Sequence, residues 1–151
     1  MSLIRWHDRF VVGVPALDSD HRMVVALLNQ LFEAREEGQA RDIVASILNV
    51  LVEYTLVHFA NEERLMLAVG FPDHSVHCGQ HENLANKLHV LRHQYDCGHH
   101  GAVDELVEIL KNWLVEHIVD EDTLIGSWIA GAGLGDGGVA MISRMTPAAD
   151  D

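Results

Sequence analysis

Cationic side chains are few: 10 Lys and Arg stand against 23 Asp and Glu, for a formal charge of −13 at pH 7. That balance repels phosphate backbones and anionic lipid surfaces, so nucleic acid is not an expected partner. Cysteine is scarce as well. Cys78 and Cys97 lie 19 residues apart on a single predicted helix, a separation of roughly 28 Å that no disulfide spans. Two reduced thiols of a cytosolic protein are the expectation, with Cys78 packing rather than ligating. The start, MSLIRWHDRF, has no apolar run of signal length, and no later window holds some 18 uncharged apolar residues. A soluble, cytoplasmic chain without membrane insertion is therefore expected. Strand-like alternation is nearly absent, which excludes a sheet-based core.

What remains is helical periodicity in a chain of 151 residues that is 48% hydrophobic, enough for one domain with a real core. Residues 1–18 read as an irregular arm packed on the domain: Trp6, Phe10, Val11, Val12 and Val14 are apolar, and Gly13 and Pro15 break any helix before Leu17. A first helix is predicted from Ser19 or Asp20 to Glu37, with Val24, Leu27, Leu28, Leu31 and Phe32 inward. The second spans about 40–69, with Ile43, Ile47, Val50, Leu51, Tyr54, His58, Glu62, Leu65 and Met66 on one drifting stripe. The third spans 73–96, with His77, His81, Leu84, Leu88, Leu91 and Tyr95 inward. The fourth runs unbroken over 102–129, its inner face ending at Leu124. Short connections make sequential helices antiparallel neighbours, so the predicted fold is all-α, an up-down-up-down four-helix bundle over residues 1–130. From Gly131 the glycine-rich run GAGLGDGG and the ending TPAADD suggest a flexible tail over 131–151.

Seven side chains interrupt the apolar stripes of these helices: His21, His58, Glu62, His77, His81, His117 and Asp122. His58 with Glu62, and His77 with His81, are four apart and share a helical face. A lone pair of either kind is most often a surface pair, and His89 with His93 is a decoy of the same spacing, assigned to solvent. His7, His74, His99 and His100 fall in the arm, a helix start or a loop and are also assigned to solvent. His117 and Asp122 are five apart, which in an α-helix turns them about 140° from each other, so they are expected to reach from opposite flanks. Burying five imidazoles and two carboxylates unpaired costs several kcal/mol each. Metal is the simpler account. If Glu62 and Asp122 each bridge two ions alongside a solvent bridge, five histidines divide three and two, and one ion keeps a single open position. Such mixed donors suit iron, with zinc, manganese or cobalt as substitutes.

In the arm Trp6 with Val12-Gly13-Val14 and Leu17-Asp18-Ser19-Asp20-His21, and in HFANEERLM, GFPDHSVHCGQH and WLVEHIVDED, the chain resembles the hemerythrins, specifically single-domain bacterial ones. The likeness covers about residues 6–128. It implies a non-haem di-iron centre that binds O2 reversibly, with His77, His81 and His117 on the six-coordinate iron, His21 and His58 on the open one, and Glu62 and Asp122 bridging. It further implies that Val24, Phe59, Trp113 and Leu114 line the O2 pocket, although ordinary core packing explains these four as well.

Three function classes follow. Reversible O2 carriage, storage or delivery leads, because no acid, base or nucleophile beyond the ligands is evident and no catalytic residue is assigned. A sensor, in which O2 or redox change shifts the helices or the arm for an unidentified protein partner, is the second. The third is an enzyme acting on O2, peroxide or nitric oxide; ferritin-like enzymes of that kind use Glu-x-x-His pairs, and this chain has none.

Overall fold

The computed structural model describes residues 2–133. Its elements are the helices α1 (Pro15–Glu36), α2 (Arg41–Ala68), α3 (His74–Asp96), α4 (Ala102–His117) and α5 (Thr123–Gly131), with a π-helical turn at Ile118–Asp122 and a 3-10 turn at Asp8–Phe10 in the arm. Each of α1 to α4 packs on the next, and α1 closes the ring against α4. This is the all-α four-helix bundle expected from the short loops. The connection after α2 turns at Gly70, whose φ of +67° is the left-handed conformation that ends a helix at least strain in glycine.

Three helix assignments differ from the sequence reading. α1 begins at Pro15, four residues early, because proline at the first helical position lacks only an N–H that would be unpaired anyway. Neither Ser19 nor Asp20 is a cap. The capping-type carboxylate is Asp18, which accepts from the amides of Val12 at 2.8 Å and Gly13 at 3.3 Å and so fastens the arm to α1.

In the first half of α2 the inner face is one residue on from the expected stripe. Ile43 and Val50 are 47% and 53% exposed, whereas Val44, Leu48, Leu51 and Val52 are buried. Both stripes are apolar, so periodicity alone does not choose between them. The same helix is long and apolar enough, by length and composition, to cross a membrane; within the bundle it carries His58 and Glu62 in the interior.

The fourth predicted helix is the third difference, since a π turn divides it. One extra residue in that turn advances the register, so α5 buries Ile125 and Ile129 while Leu124, expected inward, is 47% exposed. Gly131 closes α5, and the rest of the expected tail from residue 134 lies outside the described residues.

The arm is irregular and packed, as expected. Phe10, Val12 and Val14 are buried, and the Asn29 side chain clasps Ile4 by accepting its N–H and donating to its carbonyl, both at 2.8 Å. At Gly126 the arm lies directly on α5: a Cβ added there would sit 1.7 Å from the Val12 carbonyl oxygen. Only glycine permits that approach.

Candidate metal centre

Each helix of the bundle contributes to one buried point. α1 brings His21, α2 brings His58 and Glu62, α3 brings His77 and His81, α4 ends on His117, and the π turn ends on Asp122. The i, i+4 pairs behave as the spacing requires, each presenting both donors from one face. His117 and Asp122 do not behave as an α-helix requires. The π turn between them has a wider loop than an α turn, so residues five apart fall on one side, and His117 Nε2 lies 2.9 Å from Asp122 Oδ1. The expectation that these two reach from opposite flanks is corrected accordingly.

The donors fall into two groups that share both carboxylates. Glu62, His77, His81, His117 and Asp122 form one; His21, His58, Glu62 and Asp122 form the other; within each, donor atoms lie within 4.8 Å of one another. Glu62 Oε1 is 2.7 Å from His77 Nε2 and 3.3 Å from His81 Nε2, while its Oε2 is 3.1 Å from His58 Nε2 and 3.5 Å from His21 Nε2. Asp122 likewise turns Oδ1 toward His77 and Oδ2 toward His21, at 3.0 and 3.1 Å. One oxygen of each carboxylate thus faces each group.

Such a set is poorly satisfied by protons alone. His77 Nε2 and His117 Nε2 face each other at 2.9 Å, and His21 Nε2, His81 Nε2, Glu62 Oε2 and Asp122 Oδ1 are buried without a hydrogen-bond partner. Inward-facing nitrogens around two shared carboxylates fit two divalent cations, with iron the element best matched to this mixture.

The electrostatics agree. Burial alone would lower the His58 pKa, but hydrogen bonding to Asp20 and Glu62 outweighs it and pushes it up to about 10. His77 is pushed up to about 9, again because Asp122 and Glu62 outweigh its burial. Burial would raise Glu62, yet the close approach of His21, His58, His77 and His81 holds it well below the usual carboxylate range. Asp122 is lowered too: burial and the Glu62 charge oppose, but His117, His21 and His77 win. A cavity that demands positive charge this strongly accepts it from protons or from metal.

Supporting groups that sequence reading missed hold two of the rings. Asp20 Oδ2 lies 2.9 Å from His58 Nδ1, and the Tyr54 hydroxyl donates to Asp20 Oδ1 at 3.0 Å. Glu63 Oε1 is 3.3 Å from His81 Nδ1. A carboxylate on the outer nitrogen fixes the tautomer that leaves Nε2 free inward. The usable signal was spacing: Tyr54 stands four residues before His58, and Glu63 adjoins Glu62.

Of the four expected pocket residues, two pack on these rings. Phe59 stacks on His81 at 4.0 Å and Trp113 stacks on His117 at 4.0 Å, with 5.4 Å between the two aromatic rings. Val24 and Leu114 are buried, and Trp113 is half-buried. A cleft of about 240 Å³ reaches His117 from outside, lined also by Gln80 and Trp113 and rimmed by Glu116, Asp120 and Glu121. The remaining histidines lie elsewhere. His89 and His93 are exposed, His93 beside Cys97; His7 caps the arm's short turn, His99 is exposed, and His100 packs edge-on against Tyr95. His74, expected in solvent, is half-buried, with Nε2 3.4 Å from Cys78 Sγ.

The chain is similar in sequence and in fold to known proteins. A bacteriohemerythrin of Stenotrophomonas maltophilia is 34% identical over 122 residues, 81% of this chain and 78% of that protein. Another, from Methylococcus capsulatus, is 27% identical over 83% of this chain and 96% of its own length. The crystal structure of a wild-type hemerythrin superposes with a TM-score of 0.77 at 26% identity, over 85% of this chain and 99% of the other. Residues 12–129 match the family model described as the hemerythrin HHE cation binding domain, and with four helices delivering its donors to one two-metal site, the chain belongs to the hemerythrin family.

Proposed function

We propose that the chain binds O2 reversibly at two iron ions, with His77, His81 and His117 on one, His21 and His58 on the other, and Glu62 and Asp122 spanning both. The observation that carries this reading is the unequal split of five histidines over two shared carboxylates. Two ferrous ions held by these residues would supply the two electrons that reversible O2 binding requires.

The rest is the work of the protein's own side chains. Asp20, steadied by Tyr54, keeps the proton of His58 on Nδ1, so that Nε2 faces the metal. Phe59 and Trp113 cover the rings of His81 and His117, and with Val24 and Leu114 they keep water and anions from the centre.

Anaerobic titration of the reduced, iron-loaded protein with O2 tests the reading. A visible charge-transfer band that rises with O2 and fades on its removal is expected; steady consumption of O2 would make the protein an enzyme. Sensing is the second reading, favoured by the contact of Gly126 with Val12 only four residues beyond Asp122. A redox-dependent change in protease access to the arm would support it.

A further inference from the structure

Three of the chain's 10 Lys and Arg converge on one place. Arg5, Arg9 and Lys111 line a cleft of about 360 Å³ where the arm crosses α4. Of the other described cations, Arg35 pairs with Asp104 at 2.7 Å and Arg92 with Glu53 at 2.8 Å, and Arg22, which packs over the Trp6 ring, Arg41, Arg64 and Lys87 do not share a cleft with one another. Among the described residues no carboxylate lies within 4.0 Å of the charged groups of Arg5, Arg9 or Lys111. In a protein of formal charge −13, three cations against the single carboxylate of Glu116 around one concavity give a local charge balance opposite in sign to the whole.

The cleft has a second character. Ile4 and Phe10, both buried, and the half-buried Val115 give it an apolar wall, and the Arg9 guanidinium sits 5.1 Å above the Phe10 ring. One carboxylate, Glu116, stands at the edge. The volume is that of a small-ligand site. Nucleic acid does not fit, since the acidic surface around the cleft repels a long polyanion.

We infer that this cleft binds a small organic anion, a phosphomonoester or carboxylate bearing a compact apolar group. Arg5, Arg9 and Lys111 hold the anionic end, and Ile4, Phe10 and Val115 cover the apolar end. Guanidinium groups suit both acids, because their paired N–H donors match two oxygens at once. The site is separate from the metal centre and does not depend on the O2 reading.

Calorimetric titration of the full, iron-loaded chain with phenyl phosphate, benzoate and inorganic phosphate tests the inference. Saturable binding of phenyl phosphate or benzoate, one per chain and tighter than inorganic phosphate, is expected, and the tighter of the two identifies the acid. Arg5→Ala and Lys111→Ala should each weaken it about tenfold, with iron content and circular dichroism unchanged. The inference is overturned if neither aromatic probe saturates at millimolar concentration. It is equally overturned if the alanine variants bind as the parent does, or if inorganic phosphate binds as tightly as the aromatic probes.

Discussion

His117 Nε2 lies 2.9 Å from Asp122 Oδ1 across one π-helical turn, and this contact decides whether the fourth helix supplies one donor to the centre or two. In continuous α-helix the pair would diverge by about 140°. The extra residue both aligns Asp122 with His117 and turns α5 so that Ile125 and Ile129 face the core.

Deleting Asp120, a residue of the turn, removes the extra residue and leaves His117 and the aspartate four apart, on one face of an ordinary α-helix. Inserting an alanine after Asp120 instead leaves them six apart and turns the aspartate away. Iron content should stay near two per chain in the deletion and fall below two in the insertion, with the helical circular dichroism kept in both. Full iron loading in the insertion variant would refute the role given to the alignment.

His117→Ala and Glu62→Ala should each lose iron and lower the melting temperature of the loaded protein, because metal binding and folding free energy are shared. Glu62→Ala is the more severe, as Glu62 faces His21, His58, His77 and His81. His89→Ala and His93→Ala should leave iron content unchanged. Elemental analysis with thermal melts separates the two sets.

Asp20→Asn removes the charge behind His58, and Tyr54→Phe removes the donor behind Asp20. Loss of such outer support weakens metal affinity by about 10- to 100-fold, with Tyr54→Phe at the low end. Chelator competition measures it, and parent-like iron release in Asp20→Asn would mean that Asp20 only packs.

Stability of the metal-free protein should depend on pH in a definite direction. The folded His58 and His77 pKa values of about 10 and about 9 lie above the ordinary 6.5. Their contribution is complete below pH 6.5 and is lost as pH rises through 9 to 10. Glu62 and Asp122 are lowered from 4.5 and 3.8, so their contribution is present above those values and lost as pH falls below them. Melting temperature should therefore peak between about pH 5 and 6.5 and decline in alkali. Ferrous ion binding must displace the histidine protons and should tighten over the same alkaline range. A flat profile from pH 6.5 to 10 would contradict the assigned ion pairs.

Gly126→Ala forces a methyl against the Val12 carbonyl and should cost about 1–3 kcal/mol by displacing the arm. Denaturant melts give the cost. Faster proteolysis near Val12 should accompany it if the arm moves rather than α5.

The α3 face of His77, His81, Leu84, Leu88, Leu91 and Tyr95 was legible because, apart from Val76 and Val90, the large side chains at its outer positions are polar, so one stripe is clearly the more apolar. The first half of α2 was not, since Ile43 and Val44, or Val50 and Leu51, fit an inner face equally and only packing against neighbouring helices ranks them. His21, His58, Glu62, His77, His81, His117 and Asp122 were identifiable as donors because each breaks an apolar pattern at a helical spacing. By itself, then, the sequence determined the order of the four bundle helices and donor identity, which rest on periodicity and residue chemistry within single segments. Tertiary structure alone decided the π turn that brings Asp122 beside His117, the Asp20 and Tyr54 support of His58, and the arm cleft of Arg5, Arg9 and Lys111. Each of these depends on how segments distant in sequence meet, or on backbone hydrogen bonding that no local pattern encodes.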